Sequence, residues 1–361
     1  MSRRKKICLV IPSLGSGGME RVMSILAEYF DKKKKSEVHL VLYGRERDVF
    51  YSIPETVVVH KPNFKFENSK RTWHTFKTLF FLRNCIRSIE PHSILSFGEY
   101  WNNLFLLSSI GLNIPKYVAD RAEPGLEKGK FQEFLCRWLY PQAAGVVVQT
   151  RVAKKIYEDK YKWTEISVIG NPVNKMKSEK EVQKENAILS VGRLVDTKNF
   201  DLLIRIFHRL KVPDWKLYIV GGNSQKQNGM KKLEQLITEL NLEDKVLLMG
   251  TVPHVEEFYQ KSKIFAFTSS SEGFPNVLAE AMASGLPVIS FDCIAGPSEL
   301  IDDGENGFLI PLFDTETFEE KLRRLVKDPE LRKRMGCNSQ KLIENYSIET
   351  IGEKFYSLIT Q

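Results

Sequence analysis

Several features are scarce in this 361-residue chain, and each shortage excludes a class of protein. No apolar run reaches the roughly 18 residues needed to cross a bilayer. Residues 1–6 lead straight into an apolar strand, without the apolar core and small-residue cleavage site of a secretory leader. A cytoplasmic location is therefore expected, which includes a peripheral position on the inner face of the cytoplasmic membrane. The five cysteines (Cys8, Cys85, Cys136, Cys293, Cys337) are scattered, odd in number and nowhere spaced Cys-x-x-Cys. Neither a disulfide framework nor a zinc site is indicated. Six dispersed histidines include no His-Glu-x-x-His, so no structural metal is expected.

What is present is ordinary globular composition, 42% hydrophobic and 27% charged, over a length that exceeds one hydrophobic core. Two domains are expected. The formal charge of +8 is unevenly spread: residues 1–172 hold 28 Lys and Arg against 17 Asp and Glu, and the rest of the chain has a small acidic excess. That asymmetry implies an anionic partner for the first half: a nucleic acid, a phosphorylated substrate or an acidic membrane surface.

Short apolar runs alternate with longer helical patterns, the signature of parallel sheets covered by helices. Strands are expected at 7–12, 38–43, 93–97, 117–119, 145–149 and 166–169. After Asn171-Pro172-Val173 comes a polar stretch, 174–186, that reads as a linker. The alternation then restarts with strands at 187–191, 216–220, 245–249, 264–268, 287–291 and 308–310. The expected organisation is an N-terminal doubly wound domain over 1–172, a second over 173–345, and a last helix within 346–361 that is free to pack elsewhere. Two such α/β domains place a ligand cleft at the carboxyl ends of their sheets.

Three strand-to-helix junctions carry chemistry. The first, Gly15-Ser16-Gly17-Gly18-Met19-Glu20-Arg21, allows a turn whose amides meet an anion at a helix N-terminus. It reads as a phosphate or sugar cradle, or as a tight turn. A nicotinamide fingerprint fails here, because its third glycine would fall at Glu20 and strand 38–43 ends in Gly44-Arg45, without a ribose-binding acid. The second junction, Val191-Gly192-Arg193-Leu194-Val195-Asp196-Thr197-Lys198, offers a planar guanidinium and a compact ammonium five positions apart. Together they can neutralise a diphosphate without a metal.

The third junction is Ser271-Glu272-Gly273-Phe274-Pro275-Asn276-Val277-Leu278-Ala279-Glu280. Pro275 reads as a first-turn proline that starts the helix, with the free amides of Asn276 and its neighbours aimed at a phosphate or sugar hydroxyl. Glu272 can accept hydrogen bonds from sugar hydroxyls, and Glu280 from a ribose. Glu272 could equally cap the helix. The small residues Ala279, Ala281, Ala283 and Gly285 around Glu280 leave room for close approach.

Across nearly its whole length the chain resembles the retaining glycosyltransferases of family 4, which have the GT-B fold of two Rossmann-like domains. The likeness rests on the glycine loop with Glu20-Arg21, on Asn171-Pro172-Val173, on Gly192-Arg193 with Lys198, and on Glu272-Gly273-Phe274-Pro275-Asn276 with Glu280. The resemblance implies a nucleoside-diphosphate sugar, UDP-linked for preference, in the second domain. Arg193 and Lys198 would hold its diphosphate, and Glu272 with Gly273, Phe274, Pro275, Asn276 and Val277 the sugar and distal phosphate. Glu280 would hold the ribose. Gly17 and Gly18 would lie near the reaction centre and help bind the donor, and the first domain would take the acceptor, a glycan or polyprenyl-diphosphate-linked sugar. The terminal helix would return to that domain.

Many relatives carry a histidine-aspartate pair in the first domain, whereas here Val118-Ala119-Asp120-Arg121-Ala122-Glu123-Pro124 has no histidine. Asp120, Arg121 or Glu123 could serve instead: Asp120 as a catalytic group beside Glu272, Arg193 and Lys198, and Arg121 and Glu123 with Gly17 on the acceptor. A front-face retaining transfer needs no dedicated base, because the leaving phosphate can take the proton. No cofactor or metal is expected beyond the sugar nucleotide as co-substrate. Rival readings are a GT-B sugar-nucleotide epimerase, a phosphorylase, and a carbohydrate- or nucleotide-binding protein without turnover.

The acceptor side is also where the basic residues lie. Residues 70–87 interleave Lys70, Arg71, Lys77, Arg83 and Arg87 with Trp73, Phe76, Phe80 and Phe81, and Lys32 to Lys35 adds a cluster. Both a membrane-interface helix and a helix covering its own sheet satisfy this pattern. Nucleic acid is disfavoured, since no zinc finger, helix-turn-helix or aromatic single-strand platform is recognisable.

Overall fold

The computed structural model describes residues 4–15, 17–44, 48–161, 165–174, 183–223 and 228–361. The linker expected at 174–186 falls mostly outside them, as does Ser16 of the glycine loop. The chain divides into two compact units, Met1–Pro172 with Ile348–Gln361, and Val173–Ser347.

The first unit is a parallel sheet of seven strands: β1 (Lys5–Ile11), β2 (Ser36–Leu42), β3 (Val58–His60), β4 (Ser93–Phe97), β5 (Lys116–Ala119), β6 (Gly145–Val148) and β7 (Ile166–Val168). They lie in the order β3-β2-β1-β4-β5-β6-β7. The central strands are continuous apolar runs because helices cover both faces and no residue alternates to water. The exception is β3, three residues at the sheet edge with Val58 and Val59 exposed. So short and open a strand leaves no period-2 pattern, and it was not among the expected strands.

Helices α1 (Gly18–Lys32), α2 (Arg71–Ile89), α3 (Glu99–Ser108), α4 (Lys130–Leu139) and α5 (Arg151–Tyr161) follow the strands. One core gathers Cys8 and Val10 of β1 with Leu82 and Ile86 of α2, Phe105 of α3, Cys136 of α4 and Tyr157 of α5. Helices α2 to α5 therefore share one face of the sheet.

The chain's last helix, Ile348–Thr360, packs against α1 of this unit. Gly352 makes the approach possible, since a Cβ there would stand 2.5 Å from the Tyr29 ring. Phe355 is fully buried against Phe97, with ring centroids 6.1 Å apart. Tyr356 meets Phe30 edge-on at 5.6 Å, and its hydroxyl lies 2.9 Å from Ser36 Oγ. Glu353 accepts from Tyr29 and pairs with Lys33.

The second unit is a six-stranded parallel sheet of β8 (Ala187–Val191), β9 (Lys216–Val220), β10 (Val246–Gly250), β11 (Ile264–Phe267), β12 (Val288–Asp292) and β13 (Gly307–Pro311). Its order is β10-β9-β8-β11-β12-β13. Helices α6 (Phe200–Leu210), α7 (Gly229–Glu239), α8 (Val255–Lys261), α9 (Asn276–Ala283), α10 (Pro297–Leu300), α11 (Thr315–Lys327) and α12 (Pro329–Ile343) cover it. Residues of α6, α7 and α11 share one core, and residues of α8 and α9 another, on opposite faces. Successive strands step outward in one direction from β8 and in the other from β11. Their carboxyl ends therefore flank a topological switch point, where doubly wound sheets bind ligands.

Removing Phe355 tests the docking of the last helix. Phe355→Ala is expected to cost about 3–5 kcal/mol of first-unit stability, as a fully buried aromatic should. Chemical denaturation reads this, and a loss below about 1 kcal/mol would show that the helix is not part of that unit's core.

Candidate active site

Two of the three chemical junctions leave the strands that flank the second unit's switch point. Gly192 follows β8, and its amide donates to Val220 O at 2.9 Å. On the neighbouring strand Gly221 sits at φ +148, and a Cβ there would collide with Gly192 O at 1.8 Å. Only glycine permits this close crossing of the two chains. A side chain at Gly192 would likewise press on Lys198 Cε, at 3.3 Å. The lysine thus runs back over the turn from a short 3₁₀ segment, Asp196–Lys198.

The loop after β11 is fastened to that segment. Ser270 N donates to Thr197 O at 2.8 Å, Thr268 Oγ1 to Lys198 O at 2.8 Å, and Asn199 Nδ2 to Thr268 O at 2.9 Å. The outcome is a direct ion pair between Lys198 Nζ and Glu272 Oε1, with side chains 16% and 14% exposed. The ammonium also lies 5.5 Å from the Phe267 ring centre. Arg193, on the same turn, is exposed and makes no ion pair among the described residues.

Helix α9 starts one residue later than the sequence suggests. Pro275 is its N-cap, and the Asn276 amide is already committed, donating to Phe274 O at 3.0 Å. Leu278 and Ala279 both donate to Pro275 O. Of the first-turn amides, Val277 alone lacks a backbone partner among the described residues. The Asn276 amide thus drops out of the expected set of free amides. The cause is packing: Phe274 is buried against Tyr346, with centroids 5.7 Å apart, and Pro275 abuts Gly296, where a Cβ would fall 2.5 Å from its ring. Gly273 stands half-buried between Glu272 and this corner.

Glu280 is buried, at 7% exposure, rather than solvated. The Tyr259 hydroxyl of α8 donates to Glu280 Oε2 at 3.0 Å and lies 3.2 Å from Val277 O. The small residues around Glu280 make room for this carboxylate inside the fold. Sequence reasoning missed Tyr259, whose helix precedes β11 and meets α9 only in the packed unit. Cys293, after β12, is a buried thiol close to this site, which burial and the nearby Glu272 charge push up to about 12.

In the first unit the glycine loop is answered by its own helix. Gly17 is the N-cap of α1, and a Cβ on it would meet Glu20 Oε2 at 2.1 Å. Ser13 Oγ donates to the other oxygen of Glu20 at 3.4 Å. A carboxylate thus folds back over the helix N-terminus at Gly17 and Gly18 as a third-position glutamate does in a capping box. That negative charge disfavours a phosphate there and suits a hydroxyl donor.

Asp120 is held by neighbours within its own unit. It is 3% exposed and accepts from Tyr140 Oη at 2.6 Å, Asn102 Nδ2 at 3.1 Å and Lys128 Nζ at 3.2 Å, all within the first unit. Burial and this carboxylate raise the Tyr140 hydroxyl well above its ordinary range. Arg121 is likewise structural in its contacts. Its guanidinium lies 4.2 Å from the Phe97 ring centre and 5.3 Å from that of Phe355, and Nη1 donates to Asn171 Oδ1 at 2.7 Å. Burial pulls its pKa down to about 9, against the Asp120 charge. Asn171 also accepts from Gln149 Nε2 at 3.0 Å, so the Asn171-Pro172 motif closes the first unit. Glu123 is half-buried on the same loop. Asp120 is thus engaged inside the unit, whereas Nε and Nη2 of Arg121 are buried with no hydrogen-bond partner among the described residues.

Residues 173–342 match the family model described as glycosyl transferases group 1, and residues 16–176 match that described as glycosyltransferase family 4. A Campylobacter jejuni N-acetylgalactosamine-N,N'-diacetylbacillosaminyl-diphospho-undecaprenol 4-alpha-N-acetylgalactosaminyltransferase is 32% identical, over 91% of this chain and 92% of its own. The chain belongs to the family 4 glycosyltransferases. A second enzyme of that organism, a GalNAc-alpha-(1->4)-GalNAc-alpha-(1->3)-diNAcBac-PP-undecaprenol alpha-1,4-N-acetyl-D-galactosaminyltransferase, is 26% identical over 99% of this chain and 98% of its own. Among solved structures, Anabaena HepE in complex with UDP superposes with a TM-score of 0.80 at 18% identity, covering 98% of each chain. The fold of this glycosyltransferase is GT-B.

Tyr259 is the glycosyltransferase residue whose role is easiest to isolate. Tyr259→Phe keeps the ring and removes a hydrogen bond to a buried carboxylate, which should cost about 1–3 kcal/mol. Equilibrium unfolding reads the loss, and an unchanged midpoint would mean that Glu280 does not depend on Tyr259.

Proposed function

We propose that this glycosyltransferase moves a hexose or N-acetylhexosamine from a nucleoside-diphosphate sugar, UDP-linked for preference, to a glycan or polyprenyl-diphosphate-linked acceptor. Synthesis of a bacterial polysaccharide or lipid-linked glycan is its setting, and the anomeric configuration is retained. The observation that carries the reading is the pairing of Lys198 with Glu272 at the switch point, with unpaired Arg193 on the same glycine turn. Two cations on one turn match a diphosphate, and a carboxylate beside them matches sugar hydroxyls. Supporting the donor class is the UDP held by the Anabaena neighbour, and supporting the acceptor class are the diphospho-undecaprenol names of the Campylobacter relatives.

In this account Arg193 and Lys198 take up the negative charge that builds on the departing diphosphate, without a metal ion. Glu272 holds Lys198 in place before the donor arrives and then accepts hydrogen bonds from the sugar. The Val277 amide meets the distal phosphate, with Gly273, Phe274, Pro275 and Asn276 shaping the wall around it. Glu280, fixed by Tyr259, takes the ribose. With the Asp120 carboxylate engaged by three internal donors, the leaving phosphate is the better acceptor for the incoming hydroxyl's proton. Oriented positive charge on that phosphate is then the largest catalytic contribution.

Nucleotide release from a panel of nucleoside-diphosphate sugars tests this. Arg193→Ala or Lys198→Ala should lower turnover by about 10²–10³-fold with the fold intact, the usual cost of losing one preorganised charge-stabilising group. Chelators should have no effect. Near-normal activity in both variants would sink the diphosphate site. Donor conversion without an acceptor would indicate an epimerase, and binding without nucleotide release a non-catalytic module.

A further inference from the structure

The face of the first unit formed by α2, α3 and α4 turns large aromatic side chains outward. On α2, His74, Thr78, Leu82 and Ile86 point into the unit, which leaves Trp73, Phe76 and Phe80 on the opposite side. On α4, Cys136 and Leu139 are buried while Phe131, Phe134 and Trp138 are not. These six side chains are between 48% and 71% exposed. Helix α3 packs on both neighbours and so lies between the two rows. Aromatics at i, i+3 or i+4 and i+7 away from the core reverse the usual helix pattern, and a patch of that kind marks an interaction surface.

The charges beside the rings select the partner. Helix α2 has four basic residues (Arg71, Lys77, Arg83, Arg87) and no acidic one. Lys77 Nζ sits 5.5 Å from the Trp73 ring centre and 5.8 Å from that of Phe64. On α4, Lys130 and Arg137 are exposed, and the sole carboxylate, Glu133, is paired with Lys160 at 2.6 Å. Arg83 is spent internally, donating to Ser108 O and Ile110 O at 3.1 and 2.8 Å. That bracket ties α2 to the end of α3, so the two rows keep their spacing. Rings of Trp and Phe flanked by free lysine and arginine suit the boundary between acyl chains and anionic headgroups.

We propose that the α2–α3–α4 face docks on an anionic lipid bilayer, with the two aromatic rows in the headgroup region and the basic residues on lipid phosphates. Among the described residues no helix is long and apolar enough to cross a membrane, so the contact is peripheral. The inference deepens, and rests on, the reading of a polyprenyl-linked acceptor, because docking would hold the chain beside a diphosphate that cannot leave the bilayer surface.

Flotation of the full chain with phosphatidylcholine vesicles, with and without 30 mol% phosphatidylglycerol, tests it. The protein should float with the anionic vesicles, and its tryptophan emission should shift to the blue. In Phe76→Ser/Phe80→Ser/Phe131→Ser/Phe134→Ser, partitioning should fall by at least about tenfold. That variant should keep its thermal transition and its transfer to a short-chain acceptor. A second variant, Arg71→Glu/Arg87→Glu, should lose the preference for anionic vesicles. Absence of wild-type flotation would overturn the proposal, as would a quadruple variant that floats equally well. So would a wild-type dimer that the variant dissolves with vesicle binding unchanged, which would make the face a contact between copies. Transfer to a short-chain acceptor without flotation sinks the docking face alone. Flotation through this face without transfer to any polyprenyl-linked sugar sinks the acceptor reading and upholds the face.

Discussion

The ion pair between Lys198 and Glu272 organises the carboxyl edge of the second unit's sheet. Its partners come from strands β8 and β11, on either side of the point where the sheet order reverses, and 74 residues separate them in the chain. A half-buried lysine needs an opposite charge if it is to stay ordered without a ligand, and Glu272 supplies it. The glycines follow from this pairing. Gly192 gives the lysine stem its path, and Gly221 lets the neighbouring strand end pass behind it. Hydrogen bonds from the Ser270 amide and the Thr268 hydroxyl then tie the two loops together.

The first unit is held by polar groups used inwardly. Asp120, Lys128, Tyr140 and Asn102 form a buried network in which each member satisfies another, as buried ionised groups must. Arg121 is clasped by Phe97 of β4 and Phe355 of the last helix. It thus links the sheet to a helix that arrives from the far end of the sequence.

Legibility followed the range of the forces involved. Strands β8 and β9 were readable to the residue, since an apolar run flanked by Gly192 or Gly221 is a local signal. The pairing of the turn after β8 with the loop after β11 was signalled in the same way, each junction packing its charge and turn chemistry into a few positions. What failed depended on tertiary neighbours. The Asn276 amide is consumed by the corner that Phe274 and Pro275 make against Tyr346 and Gly296. Glu280 goes inside because Tyr259 is there to meet it. The outward rings of α4 were invisible because helical spacing alone does not say which face the sheet will cover, whereas α2 betrayed itself by lacking acidic residues. The family resemblance supplied the expectation of a donor site, and the geometry showed which of its groups are already engaged by neighbours.

Hydrogen exchange of the whole chain with and without UDP tests the central claim most directly. Binding should slow exchange at 192–199 and at 272–280, on the two loops that leave β8 and β11, and leave the aromatic face of α2 and α4 unchanged. Saturation with UDP that protects neither loop, or that protects only the glycine loop at 15–21, would contradict a donor site built on the Lys198–Glu272 pair.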